Sequence, residues 1–467
     1  MRDDVAALVS FDGEDAPEGS EEAIALVYAT YREKDLRYVS LWGQWLRWDG
    51  VRWCRDGTLQ TFDEIRSFVR TQALAERNEA TARAMASAKT VASVERLARS
   101  DRRLAANVDL WDDDALALGT PGGTVDLRSG VLCAAAPERY ITKIAKVTPA
   151  DPETPHPVWT AFLNDITAGD PEFEAYLQRI AGYCLTGLTT EHALFFLYGT
   201  GRNGKGVFVN TLNAILDEYA ETASMETFID SGFDRHPTEV AKLRGARFVT
   251  AQETERGRPF AEARIKSLTG GDKISARFMR QDFFTYTPQF KLMIVGNHLP
   301  LIGHVDEAMR ARLHIVPFEH TIPEERRDRL LPQKMQQEWP AILRWAIDGC
   351  LAWQRSGLRP PKGIRQATDG YFSAQDDFAN WLTDCCRIGK AYHTDAMTLF
   401  RSWTAWRDAH GERSETAKAF AQRLQSNGFK PKRVSSGHSG YLGVCLKHSA
   451  DPAEGSEGSE GSEGQPE

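Results

Sequence analysis

The fold is decided by residues 193–207, ALFFLYGTGRNGKGV, in which an apolar run leads into a glycine-rich loop and then into a helical pattern. The apolar run predicts a buried strand. The loop matches the G-x-x-x-x-G-K phosphate loop, in the strand–loop–helix context that this motif requires. Its backbone N–H groups and the following helix N-terminus are suited to bind phosphate. The residues expected to bind the nucleotide are Gly199, Thr200, Gly201, Arg202, Asn203, Gly204, Lys205, Gly206 and Val207.

The phosphate loop departs from its usual form at one position. Gly206 stands where the motif normally has a Ser or Thr whose hydroxyl ligates Mg²⁺. Water can fill that place, because Mg²⁺ commonly keeps several water ligands. We therefore still expect ATP and Mg²⁺ as ligands, with Lys205 reaching the terminal phosphates. The alternatives are a glycine-rich turn that binds no nucleotide, or the relic of an ATPase.

Three later apolar runs predict further buried strands, at 247–251, 291–296 and 313–318. Helical segments separate them, which indicates a mostly parallel α/β sheet. Glu253 ends the first of these runs, where a carboxylate of a phosphate-loop ATPase holds the metal or polarises the attacking water. We predict Glu253 as the catalytic carboxylate and as a Mg²⁺ ligand, directly or through water. Glu255 is a second candidate, and the alternative is a surface strand that happens to end in Glu.

The last two predicted strands bring three further polar residues. Asn297 follows the run 291–296, so its carboxamide is expected at the ligand-binding end of the sheet. There it can orient the attacking water or contact the γ-phosphate, unless it only forms a turn. Arg310 and Arg312 come shortly before the strand at 313–318. An arginine supplied to a neighbouring subunit can neutralise transition-state charge, although arginines are also common on surfaces.

Basic and aromatic residues alternate around the turn Gly270-Gly271-Asp272. In a hairpin, the bases would neutralise DNA phosphates and the aromatic rings could stack on nucleobases. Composition alone favours a plainer alternative, an edge hairpin with core aromatics and solvated charges. The candidate DNA-binding residues of this segment are Lys266, Lys273, Arg277, Phe278 and Arg280.

The composition excludes some classes of protein. Hydrophobic residues make up 42% of the 467 residues, and no run approaches the roughly 20 apolar residues of a membrane span. Seven cysteines without a C-x-x-C pair exclude a disulfide scaffold, argue against a zinc site and indicate a reducing cytoplasm, expected to be that of a bacterial host.

The charge of the chain is concentrated at its two ends. Residues 1–22 carry −7 and residues 451–467 carry −6 of the total charge of −8, so the body carries about +5. This permits a nucleic-acid partner.

Composition and pattern divide the chain into segments. Four tryptophans, at 42, 45, 48 and 53, surround an Asp49-Gly50 hairpin signal, and they form either a small core or a platform for nucleobases. The expected segments are a disordered acidic N-terminus (1–23), an α+β domain (24–150), a helical linker or collar (151–190), the α/β ATPase domain (191–358), a last small domain (371–448) and a disordered Gly/Ser/Glu tail (449–467).

The last small domain is rich in bases near its end. Residues 413–433 hold six bases and one acid. A helix and a basic strand pair of this kind can dock onto DNA, although a subunit-contact domain with a solvated basic face is the alternative. The candidate DNA-binding residues here are Lys418, Arg423, Lys432 and Arg433.

Together these motifs resemble superfamily 3 helicases, and within them the phage and plasmid primase-helicases related to the poxvirus primase-helicase. The most diagnostic pieces are Lys266-Ser-Leu-Thr-Gly-Gly-Asp272 and Gly296-Asn-His-Leu-Pro300, with Thr120–Leu127 resembling the N-terminal domain of that family. The resemblance covers about residues 30–445. It implies an AAA+-type core, a helicase-associated N-terminal domain and a C-terminal winged helix. It also implies hexameric rings that translocate 3′ to 5′ on single-stranded DNA.

The resemblance also assigns roles. Lys205 binds phosphate, Glu253 is the Walker B carboxylate, residues 266–280 form the pore hairpin and Asn297 is the polar sensor. The arginine finger maps to Arg312, with Arg310 second. We expect an ATP-driven replicative helicase of a phage, prophage or plasmid that acts on single-stranded and fork DNA. The segment before residue 24 is too short for a priming domain, so a separate primase is expected.

The alternative to a motor is a nucleotide-gated DNA-binding replication or interference factor with little hydrolysis. Gly206 and Gln252, which stands where many ATPases carry an acid, favour it. A phosphate-loop kinase of a small metabolite explains neither the basic-aromatic hairpin nor the last domain.

Overall fold

The computed structural model describes residues 16–230, 238–252, 259–280, 282–302, 306–410, 415–433 and 439–447. The chain divides after Thr368 into two compact units. Residues 1–15 and 448–467, which hold most of both segments predicted to be disordered, lie outside the described residues.

The N-terminal part of the first unit combines helices with two small antiparallel sheets. The elements are α1 (Glu21–Arg32), β1 (Leu36–Val39), β2 (Gln44–Trp48), β3 (Trp53–Arg55), α2 (Gln60–Ala75), α3 (Glu79–Met85), α4 (Ala88–Ala98), β4 (Ala117–Thr120), β5 (Gly123–Asp126) and β6 (Val131–Cys133). The sheets follow the orders β1-β2-β3 and β4-β5-β6. The Asp49-Gly50 hairpin joins β2 and β3, as predicted. Helix α1 begins at Glu21, inside the segment predicted to be disordered, because the Ser20 side chain caps it.

Two helices follow, and their apolar side chains share one hydrophobic core with Phe195 and Leu197. They are α5 (Pro157–Thr167) and α6 (Pro171–Leu185), in the segment predicted as a helical linker. Helix α6 packs closely against a later helix, α11 (Leu331–Ser356). A Cβ on Gly182 would lie 2.0 Å from the Cys350 backbone nitrogen, and a Cβ on Gly349 would lie 2.0 Å from the Gln178 carbonyl oxygen. The two backbones therefore touch at this crossing, which only glycine permits.

The rest of the first unit is a mixed α/β fold. Its elements are β7 (Leu194–Tyr198), α7 (Lys205–Leu216), β8 (Ala220–Thr222), α8 (Thr238–Ala241), β9 (Phe248–Gln252), α9 (Glu262–Thr269), β10 (Ile274–Ala276), β11 (Phe284–Tyr286), β12 (Lys291–Gly296), α10 (Glu307–Arg312), β13 (Leu313–Pro317) and α11 (Leu331–Ser356).

Five of these strands form one parallel sheet in the order β13-β7-β12-β9-β8. This confirms the predicted parallel α/β fold, to which the structure adds the short strand β8. The register aligns Gly296 of β12 with Tyr198 of β7, and Val295 with Gln252 of β9. Because the strands are parallel and in register, the carboxyl ends of β7, β9 and β12 meet along one edge.

The second unit has a core of its own, around Trp381, Trp403 and Phe420. The chain reaches it through α12 (Lys362–Gln375), which begins directly after Pro361. Its elements are α13 (Asp377–Cys385), β14 (Cys386–Asp395), α14 (Ala396–Ala409), α15 (Ala417–Ser426), β15 (Lys430–Arg433) and β16 (Ser439–Leu446). The strands form an antiparallel sheet in the order β14-β16-β15.

In the part of the chain that the structure describes, no helix is both long and apolar enough for a membrane span.

Candidate functional site

The phosphate loop lies at the carboxyl end of β7, between β12 and β13. Two of its glycines are required by the surrounding atoms. Gly204 has φ 81°, and a Cβ there would lie 2.3 Å from Ile166 Cγ2 of α5. A Cβ on Gly199 would lie 2.4 Å from the Phe318 carbonyl oxygen. The loop is therefore pressed against α5 and the end of β13, which leaves its other side free for a ligand.

Lys205 begins α7, and only 4% of its surface is exposed. Its Nζ donates to the Gly199 carbonyl oxygen at 2.7 Å, to Asn203 Oδ1 at 2.9 Å and to Asn297 Oδ1 at 3.4 Å. The Asn203 amide in turn donates to the Phe318 carbonyl oxygen at 2.7 Å. Burial lowers the pKa of the Lys205 ammonium. A bound anion would oppose that shift, because a negative charge nearby favours the ammonium form.

These groups line an open cavity of about 380 Å³. Residues 201–207 form one wall, and Gln252 with residues 295–297 forms the other. The structure thus brings Lys205 and Asn297 together. It places Gly199 beneath the loop and leaves Thr200 exposed outside the cavity.

The described residues offer few ligands for a metal ion at this cavity. Gly206 lines it, and a Cβ there would meet no atom within 4 Å, so the place of the usual hydroxyl is open space. The side-chain oxygens of Gln252 and Asn297 are neutral amides. Glu253 and Glu255, the predicted carboxylates, lie outside the described residues. Within the described ranges, no three His, Cys, Asp or Glu side chains cluster as metal ligands would.

Arg310 and Arg312 lie in the last turn of α10 and do not line the cavity. Arg312 donates to the Ala308 carbonyl oxygen at 2.8 Å, within its own helix. The α10 N-cap is Asp306, whose carboxylate accepts from the Met309 N–H.

Lys266, which is a candidate DNA-binding residue, forms an ion pair with Asp306. Its ammonium thereby ties α9 to the first turn of α10.

The predicted basic-aromatic hairpin is present as the antiparallel pair β10–β11. Its tip carries exposed apolar side chains, with Met279 69% and Phe283 60% exposed. The Arg277 guanidinium lies 4.6 Å from the Phe283 ring centroid. Lys273, Phe278 and Arg280 are also exposed, in the same segment. Cations and rings are therefore accessible together.

The strand after the hairpin is fixed at its start. Lys291, the first residue of β12, is buried, and its Nζ donates to the carbonyl oxygens of Thr186, Leu188 and Gln289. Burial lowers the pKa of Lys291 to about 7. This buried lysine joins β12 to the segment after α6.

The second unit exposes some of its predicted DNA contacts. Lys418 on α15 and Lys432 on β15 are exposed. Arg423 pairs with Glu415, its Nη2 lying 3.3 Å from Oε1. Arg433 pairs through its backbone with Ser439, and its side chain lies outside the described residues.

The tryptophans at 42–53 mostly belong to the core. Trp45 and Trp53 are buried, and their indoles donate to Glu95 Oε1 at 2.8 Å and to the Pro137 carbonyl oxygen at 2.9 Å. Trp42 is half-buried and stands beside two arginines, Arg55 and Arg244. No motif in the sequence points to Arg244, because its neighbours come from distant parts of the chain.

Two family models match the chain. One, described as D5 N terminal like, matches residues 25–168, and the other, described as a family of unknown function (DUF5906), matches residues 197–312.

Two curated viral proteins match half of the chain or more. A protein of Frog virus 3 (isolate Goorha), provisionally named helicase 022R, is 27% identical over an alignment of 263 residues that covers 50% of this chain and 27% of that protein. A provisionally named helicase of Acanthamoeba polyphaga mimivirus is 24% identical over an alignment of 321 residues that covers 63% of this chain and 33% of that protein. The chain thus spans a third or less of these relatives.

Solved structures share the fold. The A form apo structure of the NrS-1 C-terminal region aligns with a TM-score of 0.50 at 10% identity, covering 92% of this chain and 100% of that one. A second structure of that region gives 0.51 at 10% identity, covering 90% and 98%.

Proposed function

We propose that this chain, whose D5 N terminal like match and viral helicase relatives support the D5-like primase-helicase family, is an ATP-dependent replicative DNA helicase of a phage, prophage or plasmid. The named relatives support a helicase-like role in replication. We further propose that it forms a hexameric ring, translocates 3′ to 5′ on single-stranded DNA and works with a separate primase in the host cytoplasm.

One observation carries the nucleotide part of the proposal. The Lys205 ammonium and the Asn297 carboxamide, from different strand ends, lie 3.4 Å apart at the edge of a 380 Å³ cavity lined by a phosphate loop. We assign Lys205 to the β- and γ-phosphates of ATP. Asn297 then stands where it can orient the attacking water or report the presence of the γ-phosphate. The loop N–H groups and the α7 N-terminus supply further positive charge.

Mg²⁺ would neutralise charge on the β- and γ-phosphates when bound. Among the described residues, only neutral amides and the open space beside Gly206 face the place where it would lie. We therefore propose that phosphates and water make up most of its ligands, and that Glu253 completes them directly or through water.

Arg312, and after it Arg310, are proposed to act on the ATP of a neighbouring subunit. Both lie on α10, away from the cavity of their own chain, which agrees with a role in trans. Lys266 is then better explained as a residue that positions α10 through Asp306 than as a DNA contact.

DNA contact is proposed at two places. The hairpin β10–β11 offers Lys273, Arg277, Phe278 and Arg280 for sequence-tolerant binding of a single strand. The order of elements in the second unit supports a winged helix. From α13 to β16 the chain forms a helix, a strand, two helices and two strands. Lys418 and Lys432 are its exposed candidates for contact with the DNA backbone, with Arg433 as a further one.

The second candidate is a nucleotide-gated DNA-binding factor with little hydrolysis. It is favoured by Gly206, which brings no hydroxyl to the metal position, and by Gln252, an amide at the cavity. Such a protein would bind ATP and DNA but turn over slowly.

The test is ATP hydrolysis with Mg²⁺, with and without single-stranded DNA, in wild type and Lys205→Ala. Lys334→Ala is the matched control, because Lys334 is exposed, pairs with Asp328 and does not line the cavity. Stimulation by DNA that is lost only in Lys205→Ala is expected. ATP binding without hydrolysis in wild type would favour the second candidate. Forked substrates with a 3′ or a 5′ tail test the polarity, and sedimentation tests the ring.

A further inference from the structure

A row of alternating arginines and aromatic rings leads from the hairpin onto the N-terminal domain. The Arg244 guanidinium carbon lies 5.1 Å from the ring centroid of Phe284 in β11 and 5.9 Å from that of Trp42. The Arg55 guanidinium carbon lies 5.2 Å from the Trp42 centroid. Phe284 stacks on Phe278 at 5.7 Å. The row therefore extends the exposed surface of the hairpin across to β3.

The two arginines of this row carry uncompensated charge. Arg55 and Arg244 are exposed, and within the described ranges neither is paired with a carboxylate. Partial desolvation of its guanidinium, and then the repulsion of Arg55, lowers the pKa of Arg244. Arg99 of the same domain, by contrast, stacks on Tyr38 and is paired with Glu95. Two like charges beside one indole are the arrangement that an anion would stabilise.

We propose that Arg55, Trp42 and Arg244 form a phosphate-binding site that carries single-stranded DNA from the hairpin onto the N-terminal domain. This inference rests on the proposed function. The guanidinium groups bind successive backbone phosphates, and cation–π contact with Trp42 holds both of them in place. Because the ring of Trp42 is already occupied by the guanidinium groups, the site binds phosphate rather than base. It therefore adds affinity without sequence preference.

A purely structural role is the competing explanation for Arg244, since it touches both Phe284 and Trp42 and would hold the hairpin in place. Arg55 separates the two explanations. It touches Trp42 in the N-terminal domain, and no contact with the hairpin is among its described interactions. If the role of this row were only to position the hairpin, replacing Arg55 would therefore have no effect on DNA binding.

The experiment measures the affinity of the full chain for labelled oligodeoxythymidylate of increasing length, at about 50 to 200 mM salt. The variants are Arg55→Gln, Arg244→Gln and the double variant. Arg99→Gln is the matched control, because Arg99 also stacks on a ring of the N-terminal domain but is paired with Glu95. Circular dichroism and the unfolding midpoint verify that each variant is folded.

We expect each single variant to reduce the slope of log affinity against log salt by about 0.7, and the double variant by about 1.4. The loss should appear only with oligonucleotides long enough to pass the hairpin. An unchanged slope in Arg55→Gln would overturn the inference, whatever Arg244→Gln does. Failure of the wild type to bind any oligonucleotide would instead contradict the proposed function. Loss of affinity in Lys273→Ala, with both arginine variants unaffected, would leave the proposed function standing and remove the site at Arg55 and Arg244.

Discussion

The substitution Gly204→Ala tests the packing of the phosphate loop. At φ 81°, a side chain costs about 1–2 kcal/mol in backbone strain. The added Cβ would also lie 2.3 Å from Ile166 Cγ2 and 3.0 Å from Phe162 Cε2, whereas carbon atoms prefer about 3.5–4.0 Å. Overpacking of this kind costs a further 1–3 kcal/mol or so. The predicted loss of stability is therefore about 2–5 kcal/mol.

The same loop supplies the controls. Gly201 has φ 105°, but a Cβ there would meet no atom within 4 Å, so Gly201→Ala should show only the backbone cost of about 1–2 kcal/mol. Gly206 has neither a positive φ nor a close neighbour, so Gly206→Ala should be neutral or stabilising by up to about 1 kcal/mol.

Hydrogen exchange of the α7 amides measures the free energy of opening of this region separately from that of the second unit. The expected order of stability is Gly206→Ala, then Gly201→Ala, then Gly204→Ala. Equal losses for Gly204→Ala and Gly201→Ala would refute the close contact between the loop and α5.

Three further predictions concern other parts of the molecule. His314 is half-buried and hydrogen-bonded to the Tyr176 hydroxyl at 2.7 Å, and desolvation by the surrounding residues lowers its pKa from 6.5 to about 4. The unfolded chain then binds the proton on His314 more tightly than the folded chain does. The free energy of unfolding should therefore be highest above about pH 6.5 and fall by up to about 3 kcal/mol as the pH approaches 4. Unfolding midpoints against pH should show this slope in wild type and a flatter one in His314→Gln. Gly206→Ser fits the open space and should lower the Mg²⁺ concentration that half-saturates hydrolysis, and an unchanged titration would place the metal elsewhere. Lys266→Met breaks the ion pair with Asp306 and should reduce ATP turnover while leaving the affinity for single-stranded DNA intact, whereas the reverse result would return Lys266 to the DNA surface.

The central sheet could be predicted because its signals are local. The runs that became β7, β9, β12 and β13 are apolar, short and bounded by polar residues, and the phosphate loop marks the edge at which they end. Strand β8 is three residues long and not buried, so it has no apolar run from which it could be predicted. Strand β14 was also not predicted, because exposed polar residues interrupt it and its register shifts between Ile388 and His393.

The side-chain partners could not be predicted, because they come from distant parts of the chain. The carboxylate that engages Lys266 lies 40 residues away, and Arg244 contacts Trp42 some 200 residues earlier. The sequence shows that basic residues lie near the hairpin, but it does not indicate which of them form ion pairs with carboxylates in the folded chain. The contact between Lys205 and Asn297 could be predicted from the sequence, because the carboxyl ends of parallel strands lie along one edge of the sheet.

Strand β12 connects the hairpin to the cavity over a fixed number of residues. It begins at Lys291, whose ammonium is enclosed by three carbonyl oxygens, and ends beside Asn297. A slip of one residue would turn every side chain to the opposite face and expose that ammonium to apolar surroundings. The strand therefore cannot slide by small steps. The distance along β12 from Lys291 to Gly296 is therefore fixed by the register of the sheet.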